Sequence, residues 1–170
     1  PTASTTVSLV LGDAIAVALL EARGFTAEDF ALSHPGGSLG RKLLLTNKDI
    51  MHTGERIPKV TEQATLKQAI IEMSAKGLGM TGIVNNAGTL VGIFTDGDLR
   101  RCLDKDELNM AHPITEYMTR SSVSTRESML AAETLRLMED KKINSLFVLN
   151  GQGQAIGALN MHDLLKAGVI

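Results

Sequence analysis

The feature that most constrains this chain is a segment written twice: GIFTDGDL at residues 92–99 and GALNMHDL at residues 157–164. Gly92 and Gly157 are 65 residues apart, as are Asp98 and Asp163, and upstream Met73 and Met138 keep the same interval. One unit duplicated within 170 residues implies two similar modules packed together, and with them two related clefts. Paired clefts suit ligand sensing better than catalysis.

The two copies read alike. In the first, residues 47–51 predict a turn of helix and residues 57–60 an extended piece. Leu66, Ala69, Ile70 and Met73 fall at helical spacing, with Gly77 and Gly79 closing that helix. A strand at 81–84, a turn at 85–88, a second strand at 90–94 and a helix at 96–103 complete the unit. The second copy repeats this order at 114–118, 123–125, a helix through Leu130, Thr134, Leu135 and Met138, strands at 145–149 and 155–159, and a helix at 162–167. Ile50-Met51 against Tyr117-Met118 is offset by 67 rather than 65, so the second copy is two residues shorter before its long helix.

Residues 1–45 lie outside the repeat. Leu9, Leu11, Ile15, Val17, Leu19 and Leu20 predict a helix that is apolar around most of its circumference and wants burial against something larger. Ser4, Thr5 and Thr6 are expected to cap its start and Gly24 to end it. A second short helix is expected after Thr26, with Glu28 and Asp29 at its N-terminal end. The run SHPGGSLG at 33–40 cannot continue a helix. The chain opens PTASTT without a methionine and is read as part of a longer protein, cut upstream of that first helix. The expected organisation is a helical tail at 1–45, a first repeat at 46–104, a linker at 105–115 and a second repeat at 116–170.

Composition narrows the function classes. The formal net charge is −2, which gives no electrostatic reason for a nucleic-acid or anionic-membrane partner. Aromatic residues make up 3%, with no Trp, so base-stacking platforms are not expected. Cys102 is the only cysteine, which rules out an intrachain disulfide and a thiolate metal cluster. His34, His52, His112 and His162 have no paired ligand spacing, so neither a metal nor another cofactor is expected. The apolar runs, such as residues 7–11 and 146–149, are too short to span a bilayer, and a cytoplasmic location is the expectation.

In each copy a strand leaves a glycine and enters a helix through a polar tetrad, Thr95-Asp-Gly-Asp98 or Asn160-Met-His-Asp163. A Thr or Asn three residues before an acid is a helix-capping pattern, in which the side-chain oxygen satisfies an orphan N–H and the acid complements the helix dipole. The same geometry suits a nucleotide, because a carboxylate accepts hydrogen bonds from ribose hydroxyls and a helix N-terminus offers N–H groups to phosphate. Gly92 and Gly157 stand where glycine weakens a strand, and such glycines mark close approach of a ligand or another backbone.

The order of elements, with G-x-x-[T/N]-x-x-D at the last junction, resembles a tandem pair of cystathionine-β-synthase (CBS) motifs from about residue 47 to 169. The resemblance implies an α/β fold of two pseudo-symmetric β-α-β-β-α units with clefts that often take adenosyl nucleotides. It implies ribose and phosphate contacts from Thr95 and Asp98 in the first copy, and from Asn160 and Asp163 in the second, where Asn replaces the hydroxyl. Family analogy makes Ile57, Pro58, Lys59, Met80 and Thr81 the cleft walls of the first copy and Val123 and Ser145 those of the second. Arg100, Arg101 and His162, near the tetrads, are candidate partners for phosphate or a sugar acid, or else exposed helix charges.

The segments PTASTT, LGDAIAVA at 11–18, ARGF at 22–25 and SHPGGSLGRK at 33–42 resemble the end of the sugar-isomerase (SIS) domain of bacterial D-arabinose 5-phosphate isomerases, which continue directly into a CBS pair. The resemblance implies a parent enzyme that interconverts D-ribulose 5-phosphate and D-arabinose 5-phosphate for synthesis of the sugar acid Kdo, and hence of lipopolysaccharide. It assigns His34 to that active site, where a neutral imidazole exchanges protons near pH 7. The chain by itself is expected to be inactive. It is expected to bind an adenine nucleotide or the nucleotide sugar CMP-Kdo, and to form a homodimer through the CBS pair within a higher homo-oligomer of the parent. The competing expectation is an oligomerisation module with no ligand, in which both tetrads are only caps.

Overall fold

Sequence order and residue type account for most of the elements. The computed structural model describes residues 2–26, 29, 44–104 and 108–169, and the chain divides into two units, 1–44 and 45–170. The predicted loop at 33–40, with His34, lies outside the described residues.

The first unit contains α1 (Ala3–Ala22), a helix that buries none of its side chains. Two expectations for it need correction. Its N-cap is Thr2, whose side chain caps nothing, and the Thr2 hydroxyl pairs instead with that of Ser4 at 2.7 Å. Moreover, α1 is long and apolar enough to cross a membrane by length and composition, with a mean hydropathy of 1.8. Counting only short apolar runs missed this, because the alanines between the larger residues sustain hydropathy and only Asp13 and Glu21 carry charge. Gly24 ends the helix as expected, at φ +62, its N–H donating to the Glu21 carbonyl. Beyond it, Asp29 Oδ2 accepts from the Thr26 N–H and hydroxyl, both at 2.8 Å, the start of a capped turn.

The second unit is α2 (Asn47–Ile50), β1 (Lys59–Thr61), α3 (Leu66–Lys76), β2 (Met80–Val84), β3 (Leu90–Thr95) and α4 (Asp96–Asp104), followed by β4 (Ser124–Thr125), α5 (Ala131–Lys141), β5 (Ser145–Leu149), β6 (Ala155–Asn160) and α6 (Met161–Lys166). Each copy forms a three-stranded sheet, β1-β2-β3 or β4-β5-β6. The first pair in each sheet is parallel and the second antiparallel. The copies share their register: Met80 pairs with Thr95, and Ser145 with Asn160. Each carries a bulge at the same place, between Ile83 and Val84 or between Val148 and Leu149. The helix ends are coded locally. Thr65 and Gln68 form a capping box at the start of α3, and Gly77, at φ +69, turns the chain out of it.

The two sheets meet in a shared core of Ile57, Leu78, Met80, Phe147 and Ala158. Gly82 is the first-copy counterpart of Phe147, and a Cβ built on it would lie 2.9 Å from the Phe147 ring. One sheet therefore supplies a hole and the other the ring that fills it.

The lead-in segments are exchanged between the copies. Residues 45–52 pack on the second copy: the Asn47 N–H donates to the Met129 carbonyl, and the Ala131 N–H to the Leu45 carbonyl. His52 and Ala158 exchange both backbone bonds, and buried Asn47 donates its amide to Thr125 Oγ1 and the Arg126 carbonyl. Residues 112–119 do the same on the first copy, through Ile114 to Ala64, Leu66 to His112, and Ile93 with Thr119. Ile50 and Met51 accordingly join the second core, while Ile114, Tyr117 and Met118 join the first. Neither copy closes its core without the other's lead-in.

This exchange corrects the ligand half of the reading of the strand glycines and keeps the other, since a Cβ on Gly92 would also lie 3.2 Å from the Thr119 backbone oxygen. A Cβ on Gly92 would lie 2.5 Å from Met118 Sδ, and one on Gly157 2.3 Å from Met51 Sδ. The glycines make room for a methionine of the exchanged lead-in.

The Thr46 hydroxyl and amide donate to Asp49 Oδ2 at 2.6 and 2.9 Å, and these bonds hold the Asp49 carboxyl below its ordinary value of 3.8. Because the folded value is lowered, the stabilisation is present above the ordinary value and is lost as pH falls through the folded one. Asp49→Asn is therefore expected to be less stable than the parent chain at pH 7 and to lose less on acidification to pH ~3. Urea midpoints at the two pH values measure this.

Candidate functional site

Both tetrads are capping boxes in the structure. The Thr95 N–H and hydroxyl donate to Asp98 Oδ2 at 2.9 and 2.7 Å, and the Asp98 N–H donates to Thr95 Oγ1 at 3.2 Å. In the second copy the Asn160 N–H donates to Asp163 Oδ2 at 2.8 Å, and the Asp163 N–H to Asn160 Oδ1 at 3.0 Å. Each acid also uses its second oxygen on an exchanged lead-in. Asp98 Oδ1 accepts from Thr119 Oγ1 at 3.4 Å and from Arg101 Nη2. Asp163 Oδ1 lies 3.0 Å from His52 Nε2; a carboxylate only accepts, so that ring nitrogen carries the proton. His52 and Thr119 were not among the candidates from sequence. Their signal was the repeat itself, since both follow the methionines offset by 67.

The first-copy tetrad opens on a cleft of about 420 Å³. One wall comes from the first copy: Thr95, Asp96, Gly97, Arg100 and Arg101, with Leu78, Gly79 and Ile93 at the base and Thr119 of the exchanged lead-in. The other wall is the second copy's, with Ser122 and Val123 ahead of β4 and Lys142, Ile143, Asn144 and Ser145 leading into β5. The cleft therefore joins the tetrad of one copy to the strand starts of the other, and Val123 and Ser145 belong with Thr95 rather than with Asn160.

The structure brings Thr95, Arg100, Arg101, Val123 and Ser145 together on this cleft, with Asp98 buried behind Thr95. Other candidates are elsewhere. Ile57, Met80 and Thr81 are buried in the core, as is Pro58, and the Thr81 hydroxyl donates to the Ala69 carbonyl at 3.0 Å. None of these four lines the first-copy cleft. Lys59 is exposed on β1 and His162 on α6, and neither lines the cleft. Asn160 and Asp163 cap α6.

The difference between the copies is chemical. Across the repeat, the half-buried Val123, Ile143 and Ser145 correspond to Pro58, Leu78 and Met80, all buried. Where the first tetrad faces a serine and a polar wall, the repeat-equivalent positions hold buried apolar residues. Among the described residues no group of three or more His, Cys, Asp or Glu is placed to hold a metal ion.

Comparison with known proteins accords with this architecture. A family model described as CBS domain matches residues 48–105 and again 114–170. Arabinose 5-phosphate isomerase KdsD of Pseudomonas aeruginosa is 57% identical over the whole chain, and that of Escherichia coli K12 is 54% identical. The chain spans about half the length of these curated relatives, 52% in each case. Among solved structures, CBSX2 in complex with AMP matches 74% of this chain and 96% of its own, at 22% identity and a TM-score of 0.65. A CBS domain protein from Pyrobaculum aerophilum, complexed with AMP, matches 71% of this chain and 90% of its own, at 16% identity and a TM-score of 0.63.

Proposed function

The chain belongs to the CBS-domain family, and on that premise we propose that residues 45–170 are the effector-binding, regulatory module of an arabinose 5-phosphate isomerase. The observation that carries the reading is the open cleft of about 420 Å³, where Thr95, Arg100 and Arg101 of one copy face Ser145 of the other. Its volume lies within the range of small-molecule sites. Its polar groups suit an adenine nucleotide or a nucleotide sugar such as CMP-Kdo. One ligand binds per chain, because the positions equivalent to the far wall are buried apolar residues around the second tetrad.

Binding works by exchange at Asp98. A carboxylate has about four acceptor sites, and Asp98 already receives the Thr95 N–H and hydroxyl, the Thr119 hydroxyl and Arg101. A ribose hydroxyl reaches Asp98 by displacing Arg101, whose side chain is exposed. The released guanidinium then meets the ligand's phosphate. Ligand binding is coupled to the lead-in through Thr119, which joins Asp98 to the backbone of β3. Regulation follows if the ligand prefers one arrangement of that lead-in.

We propose that the isomerase chemistry needs the part of the relatives' length that this chain does not span, that His34 serves it only in the whole enzyme, and that the protein is cytoplasmic. The expected product of that chemistry is D-arabinose 5-phosphate destined for Kdo and lipopolysaccharide. Calorimetry of the chain with AMP, ATP and CMP-Kdo is expected to give one molecule bound per chain for at least one of them. A coupled assay on the same sample is expected to show no turnover of D-ribulose 5-phosphate. Silence from all three ligands favours the second reading, an oligomerisation module. The observation on its side is that both tetrads already satisfy their own helix ends.

A further inference from the structure

We infer that Lys142 is an anion-contacting residue of this cleft, held there by a strained backbone, and that the ligand the cleft takes carries a phosphate or comparable anion on its α5 side. The inference rests on the reading of the cleft as a ligand site and assigns that site its chemical class.

Lys142 is the C-cap of α5, in the left-handed region at φ 54 and ψ 44. It is the one non-glycine residue with positive φ among the described residues. That conformation brings Cβ against the following carbonyl, which is why helices usually leave through glycine. The first copy does so: Gly77, the counterpart of Lys142 at the 65-residue interval, has φ +69. The duplicated unit therefore accepts glycine at this corner, and the second copy carries a residue that costs stability there. Such outliers collect where a side chain has a function to perform.

Helix electrostatics do not explain the lysine. A cation at a helix C-terminus is favourable, but Lys141 already occupies the last turn of α5. No intramolecular ion pair explains it either. The ammonium of Lys142 has no carboxylate partner among the described residues, whereas Arg101 is held by Asp98. Lys142 lines the cleft, with Arg100 and Arg101 on the opposite wall. Against these three cations stand one lining carboxylate, Asp96, and Asp98, which is paired with Arg101, so positive charge remains in excess. An empty cleft with this balance repels cations and attracts anions, and the start of α4, which faces it, adds the positive end of a helix dipole.

The test uses residues 1–170 with Lys142→Gly and Lys142→Gln, titrated calorimetrically with AMP against adenosine and with CMP against cytidine. For whichever nucleotide binds, both substitutions are expected to weaken it about tenfold, the loss of one charge-assisted contact. The matching nucleoside is expected to be unaffected. Lys142→Gly is also expected to raise Tm by about 3 °C through relief of the backbone, while Lys142→Gln leaves Tm unchanged. Unaltered nucleotide binding, or equal weakening of nucleotide and nucleoside, overturns the role of Lys142 and leaves the cleft standing. A glycine variant no more stable than the parent overturns the strain on which the argument depends. Should only ATP or CMP-Kdo bind, the same two variants are compared on that ligand against its nucleoside; a parent chain that binds none of the four compounds, nor ATP, nor CMP-Kdo removes the site itself, and this inference with it.

Discussion

Gly157→Val is expected to destabilise the unit at 45–170 by about 3 kcal/mol, the upper range for overpacking a closed core, and Met51→Ala is expected to recover much of that loss. A Cβ on Gly157 would come within 2.3 Å of Met51 Sδ, 2.9 Å of its Cγ and 3.2 Å of its Cβ. Rotation of the thioether clears the first of these contacts but not all three, and valine adds two methyl groups beyond Cβ. Met51 cannot retreat with its backbone, because the next residue, His52, exchanges two hydrogen bonds with Ala158 at 2.8 and 3.0 Å. The clash therefore falls on the exchanged lead-in itself. Met51→Ala alone is expected to cost about 2 kcal/mol through the cavity it leaves, yet the double variant should fall well short of the sum. A coupling of about 1.5 kcal/mol or more in urea denaturation marks direct contact. Additive effects would mean that Gly157 meets something other than Met51, and the exchange of lead-ins would fail with it.

Much of this fold was legible because the chain states it twice. Helical spacing through Met73 and Met138 located α3 and α5, the turn at 85–88 located the first hairpin, and the repeat located the second. The partners of these elements were less legible. Periodicity gives the order in which elements occur but not which copy each packs on. The lead-ins at 45–52 and 112–119 look like the natural beginnings of their own repeats, although each completes the other. The one trace in the sequence is the offset, 67 at the lead-in methionines against 65 elsewhere. The site divided in the same way. Thr95 and Asp98 were recognisable from their spacing, since a capping box and a ribose contact draw on the same residues. Lys142 was not, because a lysine after a helix is unremarkable until φ is known and its counterpart is seen to be Gly77.

Asp98→Ala and Asp163→Ala are expected to separate the two copies by function while affecting stability alike. Either substitution removes a capping box and a link to the exchanged lead-in, Thr119 for Asp98 and His52 for Asp163. Each should lower stability by about 2 kcal/mol, since a cap and a partly buried polar contact are lost together. Binding should part company. Asp98 stands directly behind Thr95 on the open cleft, so its alanine variant is expected to lose nucleotide binding by at least about tenfold. In the second copy the repeat-equivalents of the far wall are Pro58, Leu78 and Met80, all buried, and Asp163→Ala is expected to bind as the parent does. Calorimetry at a temperature where both variants remain folded, checked by urea denaturation, makes the comparison fair. If Asp163→Ala abolishes binding while Asp98→Ala spares it, the ligand sits in the second copy and its apolar wall must open to admit it. If both bind as the parent does, the carboxylates are caps only and the cleft recognises its ligand through Arg100, Arg101 and Lys142.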